Sequence, residues 1–147
     1  MHGMRRLGAI VSVVLLAAAV LSWSCGGRAP KSAVAVGQVI EIDDEMVQRG
    51  GTDTVCFGRL HEGEIAVRSV TFRNTTAAPT VIVSHERSCG CIDVEYERRP
   101  IMPGEESKVD FTFDSRGEDG WQMKLLTLRI GAAGVPLKIY IEAAVEW

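Results

Sequence analysis

Positive charge is the first thing this sequence is short of. Its 147 residues hold 16 Lys and Arg against 19 Asp and Glu, a net charge of −3. Nucleic-acid binding calls for a basic stripe, and none is present, so no nucleic-acid partner is expected. Histidine is scarce as well, with three in the chain. No Ser-centred elbow, phosphate-cradling Gly loop or carboxylate pair stands out, so no catalytic constellation can be assembled and no cofactor is expected. The one long apolar run, Leu7 to Val20, is shorter than the roughly 20 residues needed to span a bilayer. The length excludes a multidomain enzyme. With 46% hydrophobic and 24% charged residues, the composition is not that of a disordered chain.

Residues 1–24 stand apart. They carry Arg5 and Arg6 but no acidic residue, then the apolar run, then Leu21-Ser22-Trp23-Ser24-Cys25-Gly26-Gly27. A basic start, a short apolar stretch and small residues before a cut site read as a secretory signal peptide. Its end resembles a bacterial lipobox, with small Ser24 just before Cys25, although Leu21 and the bulky Trp23 depart from the usual pattern. Looser lipoboxes of this kind resemble those of Bacteroidetes. The resemblance implies Cys25 as the lipidation site, the membrane as a partner through that anchor, and a place in the bacterial cell envelope. No acidic cluster follows Cys25, which favours the periplasmic side over the cell surface. Gly26 to Ala35 is small, polar and Pro-containing, as a flexible tether is. Residues 25–52 thus read as lipidated Cys, tether and N-terminal extension, and 53–147 as the folded domain.

That domain alternates. Val135, Leu137, Ile139, Ile141, Ala143 and Val145 share one parity, with Lys138, Tyr140, Glu142 and Glu146 on the other. Such a period of two marks a half-buried strand. The same pattern runs through Val109-Phe113, Leu126-Ile130, Val70-Phe72 and Ile92-Tyr96. Ile65 and Val67 fall out of phase with Val70, through a bulge near Arg68 or because Ala66 is the inward residue. Val81-Ile82-Val83 reads as a buried strand, Val34 to Asp43 as a candidate extra strand, and Asp44 to Asp53 as a loop. Gly-, Pro-, Asn- and Asp-rich turns separate the runs. About seven short strands with frequent turns predict an all-β, Ig-like β-sandwich. Asn74 is placed to bond the backbone of its own turn, and Asn74-Thr75-Thr76 also matches a glycosylation sequon.

The order of motifs resembles one known family. Phe57-Gly58 and Glu62-Gly63 are followed by Phe72-Arg73-Asn74, Ser88-Cys89-Gly90-Cys91, Pro103-Gly104-Glu105, Phe113-Asp114 and Gly120. This is similar to the bacterial domain of unknown function 1573 family, over roughly Val55 to Val145. The resemblance implies an Ig-like sandwich, often on envelope lipoproteins, with no established activity. Cys56 stands where the family usually has another residue, and Ile92 where Thr is common.

Chemistry concentrates in the cysteines. With Cys25 lipidated, Cys56, Cys89 and Cys91 remain, and the expected compartment is oxidising. Three readings stay open. In the first the cysteines are structural, either simply buried thiols or a bond from Cys56 to Cys89 or Cys91, a staple across more than about 30 residues. Cys89-Gly90-Cys91 is a candidate redox pair, with a ring small enough to fall outside comfortable disulfide geometry. His85, Cys89 and Cys91 are a candidate Cu or Zn set. The first reading goes with a non-enzymatic envelope lipoprotein whose domain binds or scaffolds an envelope protein, with Tyr140, Trp121 and Trp147 available for contact. Trp121 has a second reading, as a plug at one end of the core. The alternative function is thiol-redox or metal handling through the CGC segment.

Overall fold

A computed structural model of the chain describes residues 37–147. The signal segment, Cys25 and most of the tether lie outside the described residues. The elements run β1 (Gln38–Ile42), α1 (Asp44–Arg49), β2 (Gly51–His61), β3 (Ile65–Asn74), β4 (Ile82–Arg87), β5 (Ile92–Tyr96), β6 (Glu106–Asp114), β7 (Gly120–Ile130) and β8 (Val135–Glu146).

They form two four-stranded sheets, ordered β1-β3-β6-β5 (sheet A) and β2-β8-β7-β4 (sheet B). This is an all-β sandwich in the strand order of an immunoglobulin-type domain, with β2 added parallel to the last strand. The core is what the alternation predicts. Phe72, Phe111 and Phe113 from sheet A and Leu126, Leu128, Ile130, Leu137 and Ile139 from sheet B are fully buried. Phe57 of sheet B meets Phe113 of sheet A with ring centroids 6.0 Å apart.

Three local expectations change, and one open alternative is decided. The sandwich begins before residue 53, because β1 pairs with β3 and buries Ile40 and Ile42. The segment from Asp44 is no plain loop but a short helix. Asp43 caps it by accepting from the Met46 N–H at 2.8 Å, acidic Asp44 and Glu45 lie in its first turn, and Arg49 lies in its last. Six residues are too few to show a repeating 3.6 pattern.

Val81-Ile82-Val83 does not form a buried strand. Strand β4 is an edge whose register with β7 shifts between Ile82 and Ser84, so Ile82 is buried and Val83 is 44% exposed. The phase problem in β3 has no bulge behind it. Its pairing with β6 runs unbroken from Ile65 to Arg73, Ala66 is the inward residue, and Ile65 and Val67 face solvent. The bulge lies instead in β2, between Cys56 and Gly58, where Gly58 takes φ 76°.

Candidate functional site

Cys89-Gly90-Cys91 occupies the link by which the chain leaves β4 of sheet B and enters β5 of sheet A. Cys89 and Cys91 are joined by a disulfide, with Cα atoms 5.3 Å apart. An extended chain would hold residues two apart at roughly 7 Å. The turn through Gly90 closes that gap, and the separation falls inside the ordinary disulfide range. The expectation that the small ring would defeat normal geometry therefore fails at the level of the backbone.

Both flanks of the link are pinned. The Ser88 N–H donates to the Leu125 carbonyl at 2.9 Å, and the Leu125 N–H donates back to Ser88 Oγ at 3.0 Å. The Asp114 N–H donates to the Cys91 carbonyl at 2.8 Å. Arg87 Nη1 reaches over the link to the Ile92 carbonyl and to Asp93 Oδ1, each at 3.2 Å. Beside it, hydrogen bonds from Arg116 hold the Asp114 carboxyl below the usual carboxylate range. Cys89 and Cys91 are half-buried against the core, and Gly90 is exposed.

Cys56 is not part of this cluster. It lies on β2, at the opposite edge of sheet B from β4, is exposed, and carries a free thiol. Buried Val55 and Phe57 flank it, so strand parity turns it outward. The staple between Cys56 and the CGC segment is therefore not formed. The metal set is not assembled either. The sulfurs of Cys89 and Cys91 are bonded to each other, while His85 Nδ1 lies 3.3 Å from Tyr96 Oη, with the two rings edge to face at 85°. Among the described residues no group of three or more His, Cys, Asp or Glu is placed to hold a metal ion.

A second feature lies on the outer face of sheet B. The register puts Trp121 opposite Ala144, Met123 opposite Glu142 and Leu125 opposite Tyr140, all on the parity that points away from the core. Trp121 is 64% exposed and Met123 50%, so Trp121 is no plug of the core. Trp147 is exposed too, one residue beyond β8. Reading the sequence for aromatics finds Trp121 and Tyr140 but misses Met123 and Leu125. The signal was present: with Leu126, Leu128 and Ile130 inward, Leu125 and Met123 must face out.

The fold and this link define an Ig-like sandwich domain with a Cys-Gly-Cys disulfide between its sheets. The chain belongs to the DUF1573 family, proteins of unknown function, whose sequence model matches residues 48–145. No curated protein matches it significantly. Among solved structures it is similar to a protein of unknown function from Porphyromonas gingivalis W83, at 18% identity and a TM-score of 0.54. That match covers 62% of this chain and 43% of the other. It is also similar to the Vibrio cholerae VesB protease, at 16% identity and a TM-score of 0.52, covering 63% of this chain and 30% of that one. The chain thus spans less than half of either protein, and at these identities the likeness is one of fold.

Proposed function

We propose that this chain is a cell-envelope lipoprotein, anchored by lipid on Cys25 and facing the periplasm, whose Ig-like domain is a binding or scaffolding module for another envelope protein. The observation that carries the binding role is the outer face of sheet B. Trp121, Met123, Leu125 and Tyr140 form one apolar stripe there, with Trp121 and Met123 at least half exposed. Isolated exposed apolar residues are ordinary, but a contiguous stripe centred on Trp and Tyr is the composition of a contact surface. Charged Lys138 and Glu142 border the stripe on β8, as a polar rim does. The anchor rests on the signal-like residues 1–24 and on Ser24-Cys25.

The test is in-cell photocrosslinking from a photoreactive residue at position 123, with position 67 on the outer face of sheet A as control. A discrete adduct from 123 that Trp121→Lys abolishes, without a change in unfolding midpoint, supports the reading. Equal adducts from both faces, or none, overturn it. The anchor is tested separately: Cys25→Ser is expected to end acyl labelling and release the chain from the membrane fraction.

A further inference from the structure

The Cys89–Cys91 bond has no adequate structural explanation. A disulfide stabilises mainly by restricting the unfolded chain, and the restriction grows with the loop it closes. Here the partners are two residues apart, so the bond closes the smallest of loops and stabilises far less than a long-range staple does. The link does not need it to hold its place either. Ser88 is tied to Leu125 in both directions, the Cys91 carbonyl is tied to Asp114, and Ile82, Ile92 and Val94 anchor the neighbouring strands in the core.

We propose that Cys89-Gly90-Cys91 is a thiol–disulfide exchange site that takes electrons from a dithiol. The geometry has the two properties exchange needs. The backbone holds the Cα atoms 5.3 Å apart through bonds that do not involve sulfur, so the site persists when the sulfurs part. The second thiol also stays beside the first, so when a disulfide oxidant reoxidises the reduced site, the mixed disulfide it leaves on one thiol is closed within the chain rather than by a second encounter.

The step balances. One thiolate of the incoming dithiol attacks a sulfur of the Cys89–Cys91 bond. That bond breaks, a mixed disulfide forms, and the displaced sulfur takes a proton. The second thiolate of the dithiol then attacks its own mixed sulfur. The dithiol leaves as a disulfide, and Cys89 and Cys91 remain as two thiols, having gained two electrons and two protons. This activity uses residues apart from the Trp121 stripe, so either reading can fail without the other.

The test uses the full chain in detergent with dithiothreitol as the dithiol. The chain is alkylated after set times and mass-analysed on the peptide Ser88 to Arg98, with and without urea. The site reading expects no alkylation before dithiothreitol and two labels after it, with native reduction within about tenfold of the rate in urea. It also expects an unchanged far-ultraviolet spectrum, full reoxidation by glutathione disulfide, and, in Cys89→Ser, a glutathione adduct that stays on Cys91. Labelling before any reductant, native reduction more than about a hundredfold slower than in urea, or unfolding on reduction would each overturn the proposal.

Discussion

Asn74 donates from Nδ2 to the carbonyl of Ile101, at 2.8 Å across 27 residues of sequence, and from the same amide to the carbonyl of Ala78, also at 2.8 Å. Its Oδ1 accepts from the Thr76 N–H at 2.9 Å. The side chain is wholly buried, so each bond replaces one that water would otherwise make. Asn74 thereby ties the end of β3 to its own turn and to the segment before β6. Asn74→Ala removes these bonds and leaves the Thr76 N–H without its acceptor, while the Ile101 carbonyl keeps the Thr80 N–H and the Ala78 carbonyl keeps Thr76 Oγ1. It is expected to cost about 1–3 kcal/mol in urea unfolding. Asn74→Asp keeps the acceptor but loses both donors, and is expected to be no better. A loss under about 1 kcal/mol would mean that water takes over the bonds. The same burial closes the glycosylation pattern at Asn74, because its amide nitrogen is engaged on both hydrogens.

Gly50 ends α1 with φ 83°, and a Cβ built there would overlap the Pro136 carbonyl oxygen. Positive φ and backbone contact act together, since the clash is with main chain that is itself part of β8. Gly50→Ala is expected to destabilise by about 2–4 kcal/mol, more than the φ preference alone would cost. Gly63→Ala, at φ 86° with no atom within 4 Å of the added carbon, serves as the control for φ alone. Chemical denaturation of both variants separates the contributions. Equal losses would sink the argument from close approach.

The strands were legible because sheet faces write themselves into alternation, as Leu137, Ile139 and Ile141 against Lys138, Tyr140 and Glu142 show. The family was legible from the spacing of Ser88-Cys89-Gly90-Cys91 to Pro103-Gly104-Glu105. Helix α1 was not, since one turn and a half has no period to read, although its cap Asp43 was in plain view. The partner of Cys91 was not legible either. Pairing depends on where the chain turns in space, and Gly90 brings Cys89 near while β8 and β7 separate Cys56 from β4. The outward stripe was half-legible: parity against Leu126, Leu128 and Ile130 turns Trp121, Met123 and Leu125 outward, but only the strand pairing sets Tyr140 of β8 beside Leu125.

Acid is expected to weaken the fold through three carboxylates, the Arg116-held Asp114 and two more. A hydrogen bond from Ser69 Oγ at 2.5 Å, then one from Lys108, holds Asp110 below the usual range. The Met102 N–H at 2.9 Å, then Arg99, does the same for Glu105. A depressed folded value means that the native state binds fewer protons than the unfolded chain. Its contribution is therefore present above the ordinary carboxylate range and is lost as pH falls through the folded value, below about 4. Asp110 and Glu105 lie at the surface and keep part of their contact with solvent, so the effect is modest and salt-sensitive. Ser69→Ala is expected to lower stability at neutral pH and to flatten the acid slope, with the gap from wild type closing toward pH 2. An unchanged slope would mean that Ser69 does not act on Asp110 in solution.

Comparing the oxidised and the fully reduced chain weighs the pairing itself. Restricting a loop of three residues is worth ~1.5 kcal/mol in the chain-entropy account, whereas a bond from Cys56 to Cys89 or Cys91 would close more than 30 residues and be worth roughly 3–4 kcal/mol. The structure bonds Cys89 to Cys91 and leaves Cys56 free, so reduction is expected to lower the unfolding free energy by the smaller amount. Cys56→Ser in the oxidised chain is expected to change it by less than about 0.5 kcal/mol, as exposed substitutions do. The two outcomes diverge in pattern as well as size: were Cys56 the partner, Cys56→Ser and reduction would cost alike, and neither would add to the other. Urea unfolding of wild type and Cys56→Ser, each with and without dithiothreitol, decides between them.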